Sequence, residues 1–206
     1  MRDETLSTFL RQLAARVPAP GGGATAALHA AQGAALLAMV ARYSDGPKYA
    51  GHAAVIADVL RRADEMREEC LELVAADAAA FGSVAAAYAL PRDTGEQKAA
   101  RSAAIAAALV TAAGPPAAVI AASAQLVGLA EELAPVGNRS VLSDVAAAAE
   151  SIRAAAATAR INVEVNLPGM TDVAARSRYE AALAGVAALV ARADAVSAQV
   201  RRELAR

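Results

Sequence analysis

The chain has 206 residues, of which 57% are hydrophobic but only 3% are aromatic, and it lacks tryptophan. Its 20 basic and 21 acidic side chains give a net charge of −1, which does not provide the basic surface that nucleic-acid binding needs. The length predicts one domain over residues 1–206. Alanine supplies most of the apolar excess and fills cores poorly. We therefore expect the domain to bury its remaining apolar surface in a homodimer or higher homo-oligomer.

Apolar residues recur at helical spacing along the whole chain, and stretches rich in proline and glycine separate the repeats. This pattern predicts an all-α fold, a single-domain bundle of about seven alanine-rich helices without strands. The predicted helices cover residues 5–16, 24–43, 51–89, 94–113, 114–133, 140–166 and 171–204.

Several polar residues stand where helices are predicted to begin. Thr94 and Gln97 have the spacing of a capping box, in which each side chain binds the backbone N–H of the other. The other candidate N-caps are Ser140 or Ser143, and Thr171 or Asp172.

The sequence favours a cytoplasmic protein without a membrane span. A single cysteine, Cys70, cannot form an intramolecular disulfide and suits a reducing compartment. The charged start at residues 1–4 does not resemble a signal peptide. Residues 24–41 are the best membrane candidate, but they include His29 and Gln32, and a span needs about 20 mostly apolar residues.

Residues 18–23, with the sequence PAPGGG, are the most distinctive segment. They precede a long apolar helix, whose first backbone N–H groups have no intrahelical acceptor and favour an anion. Pro20, Gly21, Gly22 and Gly23 are therefore candidate ligand-binding residues. A rigid turn between helices explains the same segment, and the loop alone does not separate the two interpretations.

Asp77 lies among alanines, and no lysine or arginine stands within one helical turn of it. Burial there would raise the pKa of the carboxyl group toward the range that proton transfer near neutral pH requires. The alternative is an exposed aspartate on a face of small residues.

Asp144, Asn162 and Asn166 share one face of a predicted helix. Asp144 and Asn162 are 18 residues apart, which is five turns but about 27 Å. Lys48 and Asp77 likewise lie at opposite ends of one long helical pattern. These residues cannot grip one small group within one chain, so they mark the two ends of a long ligand or a site shared by two chains.

Metal binding is not expected. The only histidines, His29 and His52, are far apart in sequence, and one cysteine cannot build a thiolate site.

Six stretches of the sequence, in this order, resemble the cyclodeaminase/cyclohydrolase family, which includes the C-terminal domain of formiminotransferase-cyclodeaminase and stand-alone methenyltetrahydrofolate cyclohydrolase. The resemblance extends over most of the chain, although the last helix carries no motif. The matching stretches are residues 18–23, 46–49, 77–81, 90–94, 137–144 and 162–166.

The resemblance implies an all-helical oligomer that takes a tetrahydrofolate derivative as its substrate and holds no permanently bound cofactor. It implies that Asp77 and Asp144 are the catalytic candidates, one as general acid/base and the other on the pterin edge. The implied substrate-binding residues are Pro20, Gly21, Gly22, Gly23, Lys48, Asn138, Arg139, Asn162 and Asn166.

The family divides between two reactions, and no residue in this sequence separates them. Formiminotetrahydrofolate cyclodeaminase, which closes a ring to 5,10-methenyltetrahydrofolate and releases ammonia, is the first expectation. 5,10-Methenyltetrahydrofolate cyclohydrolase is the alternative. A non-catalytic folate-binding or helical interaction module is the alternative from another class.

Overall fold

A computed structural model describes residues 4–205, and the charged start at residues 1–3 lies outside this range. The described residues form eight α-helices and no strand. In chain order, α1 to α8 are Leu6–Leu13, Gly22–Arg42, Ala53–Tyr88, Gly95–Ala112, Gly114–Leu133, Leu142–Glu164, Val173–Ala184 and Val186–Leu204. Short 3-10 helices cover Pro47–His52, Arg139–Val141 and Leu167–Gly169.

The all-α bundle predicted from the sequence is confirmed, and the additional helix arises at one residue. Gly185 divides the last predicted helix into α7 and α8. Thr94 and Gln97 form the expected capping box, and Asp172 rather than Thr171 caps α7. The prediction for the start of α6 was wrong, because the helix begins at Leu142 without a side-chain cap and Asn138 caps the preceding 3-10 turn instead.

The central helix of the bundle is α2, which packs against α3, α5 and α6. Eight of its alanines are buried, so its neighbours approach its backbone closely. Larger side chains of α2 and of the surrounding helices fill the space between these close contacts. The largest buried ones include Leu37, Leu126, Leu129, Leu133 and Ile152.

The second half of α3 extends beyond this core and packs on α4. Its buried contacts form a small separate cluster of Ala80, Val84, Ala87, Ala108 and Ala112. One face of this helical pair is exposed and carries few charges. The oligomeric state stays a prediction from sequence.

Four helical stretches in the described residues are long and apolar enough to cross a membrane by length and composition alone. In Gly22–Arg42, 61% of the most apolar window is buried inside the protein, because other helices cover it. The absence of a membrane span stays a prediction from sequence.

The contact between α2 and α6 requires a glycine at position 33. A Cβ atom there would lie 2.8 Å from Cγ1 of the buried Ile152 and 3.3 Å from the carbonyl oxygen of Ala148. We expect Gly33→Ala to lower the free energy of unfolding by about 1–3 kcal/mol, because the two helices must separate.

The matched control is Gly82→Ala, on an exposed part of α3 where a new Cβ meets no atom within 4 Å. This change should raise the free energy of unfolding by about 0.5–1 kcal/mol, since alanine forms helices better than glycine. Urea denaturation of both variants tests the pair. Equal stabilisation by both substitutions would contradict the tight contact at Gly33.

Candidate functional site

The start of α2 lacks a cap from its own loop. Gly21 is the N-cap and makes no side-chain hydrogen bond, and the first turn contains Gly22 and Gly23. The hydroxyl of Thr25 donates to the carbonyl oxygen of Gly21 at 3.0 Å, which holds the loop against the helix but caps none of its N–H groups. The free N–H groups of this turn therefore need partners from elsewhere.

One partner comes from α3. The carboxylate of Asp77 accepts a hydrogen bond from the backbone N–H of Ala24, the third residue of α2. An N-cap side chain normally occupies this place, so Asp77 caps α2 from a neighbouring helix. Gly23 makes this approach possible, because a Cβ at that position would overlap the carboxyl group of Asp77.

Two amides from the end of α6 complete the surroundings of this turn. Nδ2 of Asn162 donates to the carbonyl oxygen of Thr158 at 2.8 Å, and Nδ2 of Asn166 donates to that of Asn162 at 2.7 Å. These bonds fix both amide groups. A Cβ at Gly22 would lie only 2.9 Å from Nδ2 of Asn162. The missing side chain at Gly22 therefore allows α6 to pack closely, as the missing side chain at Gly23 does for α3.

These residues surround a cleft with a volume of about 230 Å³. Its polar lining residues are Asp77, the two asparagines and the backbone of the glycine turn. Its apolar lining residues are Pro18, Phe81, Ala112 and Val165.

The cleft changes the acidity of its carboxyl group. Partial burial raises the pKa of Asp77 above its ordinary value of 3.8, while the hydrogen bond from Ala24 opposes the shift. The structure therefore agrees with the half-buried interpretation of Asp77 rather than with the exposed one. A carboxyl group with a raised pKa can exchange protons closer to neutral pH.

A second set of candidate residues lies at the other end of α2. The backbone N–H of Asn138 donates to Oγ of Ser44 at 2.8 Å, and its Nδ2 donates to the carbonyl oxygen of Tyr43 at 2.7 Å. These bonds tie the loop before α6 to the residues that follow α2. Asn138 therefore has a structural role at this end of the bundle.

Lys48, Arg139 and Asp144 belong to the same end. Lys48 follows Gly46, whose φ of +87° suits glycine, and its Nζ lies 5.5 Å from the centre of the Tyr49 ring. Arg139 pairs with Glu203, and Asp144 lies in the first turn of α6. A second cavity of about 390 Å³ lies beside this loop, with Gly46 and Tyr49 among its lining residues.

The structure thus divides the candidate residues into two sets. The cleft set comprises Gly21, Gly22, Gly23, Asp77, Asn162 and Asn166, and the distal set comprises Lys48, Asn138, Arg139 and Asp144. Along α6, the two sets are about 27 Å apart. Pro20 belongs to neither, because it is buried behind the loop after a cis peptide bond and does not line the cleft.

The apolar residues that line the cleft were not identified as site residues from the sequence. The spacing of Phe81, four residues after Asp77, places both on one face of α3 and was a usable signal. Ala112 and Val165 carried none, because they reach the cleft only through the packing of α4 and α6. Among residues 4–205, no group of three or more His, Cys, Asp or Glu residues could hold a metal ion.

Comparison with known proteins gives one family match. The family model described as formiminotransferase-cyclodeaminase matches residues 5–198 of the chain.

Three similar proteins show how far the similarity extends. The chain is 39% identical to methenyltetrahydrofolate cyclohydrolase of Methylorubrum extorquens, covering 96% of this chain and 94% of that protein. It is 36% identical to formimidoyltransferase-cyclodeaminase of Rattus norvegicus, covering 82% of this chain but 32% of that protein. The crystal structure of formiminotetrahydrofolate cyclodeaminase from Thermotoga maritima has a TM-score of 0.86 at 25% identity, covering 99% and 98% of the two chains.

The burial of Asp77 predicts an unusual effect on stability. Because the pKa is raised in the folded state, the folded state binds this proton more tightly than the unfolded state does. The contribution of Asp77 to the free energy of unfolding is therefore greatest below pH 3.8, the ordinary pKa of the group. It is lost as the pH rises through the raised pKa. We expect Asp77→Asn, which keeps an oxygen to cap Ala24, to unfold at higher urea concentration than the unmodified chain at neutral pH.

The difference in urea midpoint between Asp77→Asn and the unmodified chain should shrink as the pH falls through the raised pKa of Asp77. The control is Asp194→Asn, which removes a half-exposed carboxylate paired with Arg153 and should not stabilise the protein at neutral pH. If Asp77→Asn were less stable than the unmodified chain at neutral pH, the attraction between the Asp77 carboxylate and the N-terminus of α2 would outweigh the cost of burying the charge.

Proposed function

Because the chain belongs to the formiminotransferase-cyclodeaminase family, we propose that it adds water to 5,10-methenyltetrahydrofolate and opens the ring to 10-formyltetrahydrofolate. The observation that supports this reaction best is the 39% identity to a cyclohydrolase over nearly the full length of both chains. The substrate is then a reduced folate, and we propose no permanently bound cofactor.

Ring closure of 5-formiminotetrahydrofolate, which was the first expectation from sequence, is the second candidate. The similarity to the Thermotoga maritima cyclodeaminase over the whole chain favours it. The non-catalytic alternative is not retained, because the relatives are named as enzymes. Both reactions pass through a tetrahedral carbon between N5 and N10, so one site can serve either.

In the hydrolytic reaction, the oxygen of a water molecule attacks the methenyl carbon as the water loses a proton. The bond between this carbon and N5 then breaks, and N5 takes up a proton. At the same time the hydroxyl group that the water left on the carbon loses its proton, so the carbon remains on N10 as a formyl group and one proton is released overall. The site therefore has to accept one proton and deliver another near the same carbon.

Asp77 is suited to both transfers. Its carboxylate can accept the proton from water, and its raised pKa makes the protonated form a usable acid at N5. The hydrogen bond from Ala24 holds the group in place between the two steps. We therefore assign the acid/base role to Asp77 rather than to Asp144, which lies in the distal set.

The remaining cleft residues are suited to holding the pterin. Asn162 and Asn166 each use an N–H on their own helix, which leaves the amide oxygens as acceptors for the N–H groups of an aminopyrimidinone edge. The first-turn N–H groups of Gly22 and Gly23 supply donors for its oxygen. Together they would orient the ring against Asp77.

The cleft of one chain is smaller than the whole ligand. Pockets for drug-sized ligands typically measure about 300–1,000 Å³, whereas this cleft measures about 230 Å³. We propose that the pterin occupies the cleft of one copy. The distal set of a second copy in a homodimer then binds the glutamate tail, with Lys48 and Arg139 as its cations.

Asp77→Asn should lower turnover more than 100-fold, because the amide can neither accept the proton from water nor return one to N5. Loss of the methenyl chromophore under saturating substrate measures this change, and Asp194→Asn should retain the activity of the unmodified enzyme. Turnover of Asp77→Asn near the unmodified rate would remove Asp77 from the acid/base role.

A mixing experiment tests whether the site is shared. We expect Asp77→Asn and Lys48→Ala to be inactive or weak separately and to regain about a quarter of full activity when unfolded together and refolded as random dimers. Half of such dimers are mixed, and each mixed dimer has one intact site and one doubly altered site. Activity no higher than the average of the two variants would place every essential residue within one copy.

A further inference from the structure

The lining of the cleft is chemically mixed. Hydrogen-bonding groups line it together with four apolar side chains, those of Pro18, Phe81, Ala112 and Val165. A flat ring with a polar edge and an apolar face fits such a cleft better than a uniformly polar ligand does.

The two phenylalanines of this chain differ in burial. The chain has only two phenylalanines, and Phe9 is packed in the core at 7% exposure. Phe81 remains 47% exposed although its burial would be favourable. It lies one helical turn from Asp77, about 6 Å along the axis of α3, and it lines the cleft that Asp77 also lines.

We propose that Phe81 is the stacking platform for the pteridine ring, against which the ring lies while its edge faces Asp77 and the two asparagines. This assignment rests on the proposed function, and it adds a specificity-determining residue to the site. An aromatic face is attractive to a second planar ring.

The charge of the substrate adds a second reason for an aromatic residue here. The methenyl compound carries a positive charge spread over N5, the bridging carbon and N10. The face of a phenylalanine ring attracts such a cation, whereas an aliphatic side chain of similar area does not. Phe81 should therefore be replaceable by tyrosine but not by leucine.

The experiment compares Phe81→Leu, Phe81→Tyr and the control Tyr88→Leu by calorimetric titration. Tyr88 is also exposed on α3, seven residues further along, but it does not line the cleft. The probes are 5-formyltetrahydrofolate, 6-methyltetrahydropterin and p-aminobenzoylglutamate, which represent the whole ligand, its ring and its tail. Thermal unfolding should be nearly unchanged in all three variants, because both side chains are exposed.

We expect Phe81→Leu to weaken binding of the whole ligand and of the pterin by about tenfold or more, and to leave the tail fragment unaffected. Phe81→Tyr and Tyr88→Leu should bind all three probes as the unmodified protein does. Equal binding of the pterin by Phe81→Leu and the unmodified protein would overturn the assignment. A loss confined to the tail fragment would overturn it too.

The unmodified protein separates this inference from the proposed function. If it turns over methenyltetrahydrofolate and Phe81→Leu retains full pterin affinity, only the stacking assignment fails. If the unmodified protein binds neither the reduced folate nor the pterin, the proposed function fails and the assignment fails with it.

Discussion

The absence of side chains at Gly22 and Gly23 is the constraint on which the cleft depends. A Cβ at either position would meet a polar side chain from another helix, Asn162 in one case and Asp77 in the other. Side chains at these two positions would therefore keep α3 and α6 from approaching the first turn of α2 so closely. The glycines therefore act by allowing close packing, and both have an ordinary helical conformation.

Asp77 combines two requirements that oppose each other. Its carboxylate caps the central helix of the bundle, which favours the charged form, while its partial burial favours the neutral form. A cap alone would be equally well supplied by asparagine or serine. The presence of an ionisable group at a place where ionisation is unfavourable is typical of functional sites, where stability is given up for chemistry.

The sequence was sufficient for the helices because their signals are local. Alanine-rich periodicity, the Thr94–Gln97 capping box and the proline-containing interruptions each act within a few residues. The start of α6 was not predicted correctly, because the loop before it is held by Asn138. This residue forms hydrogen bonds with residues more than 90 positions away. Gly185 was not recognised as a division because a glycine inside a helical pattern is usually tolerated.

The candidate site was predictable only in part. Helix geometry separated Asp144 from Asn162 correctly, because a distance along one helix follows from the residue count. Helix geometry could not show which end of α6 lies beside Asp77, since that depends on how α2, α3 and α6 are arranged. The apolar lining of the cleft depends on α4 as well, because Ala112 belongs to it, and no local pattern reports that packing.

The contact between Gly33 and Ile152 has a consequence for the alignment of the central helices. Alanine surfaces are smooth and would let two helices slide along each other, so a few larger contacts must fix their axial register. From Gly33 back to Gly22 is 11 residues, and from Ile152 forward to Asn162 is 10, which are nearly equal lengths on two antiparallel helices. One interlocked pair in the apolar core thus sets the height at which the asparagine amide meets the glycine turn, about 15 Å away.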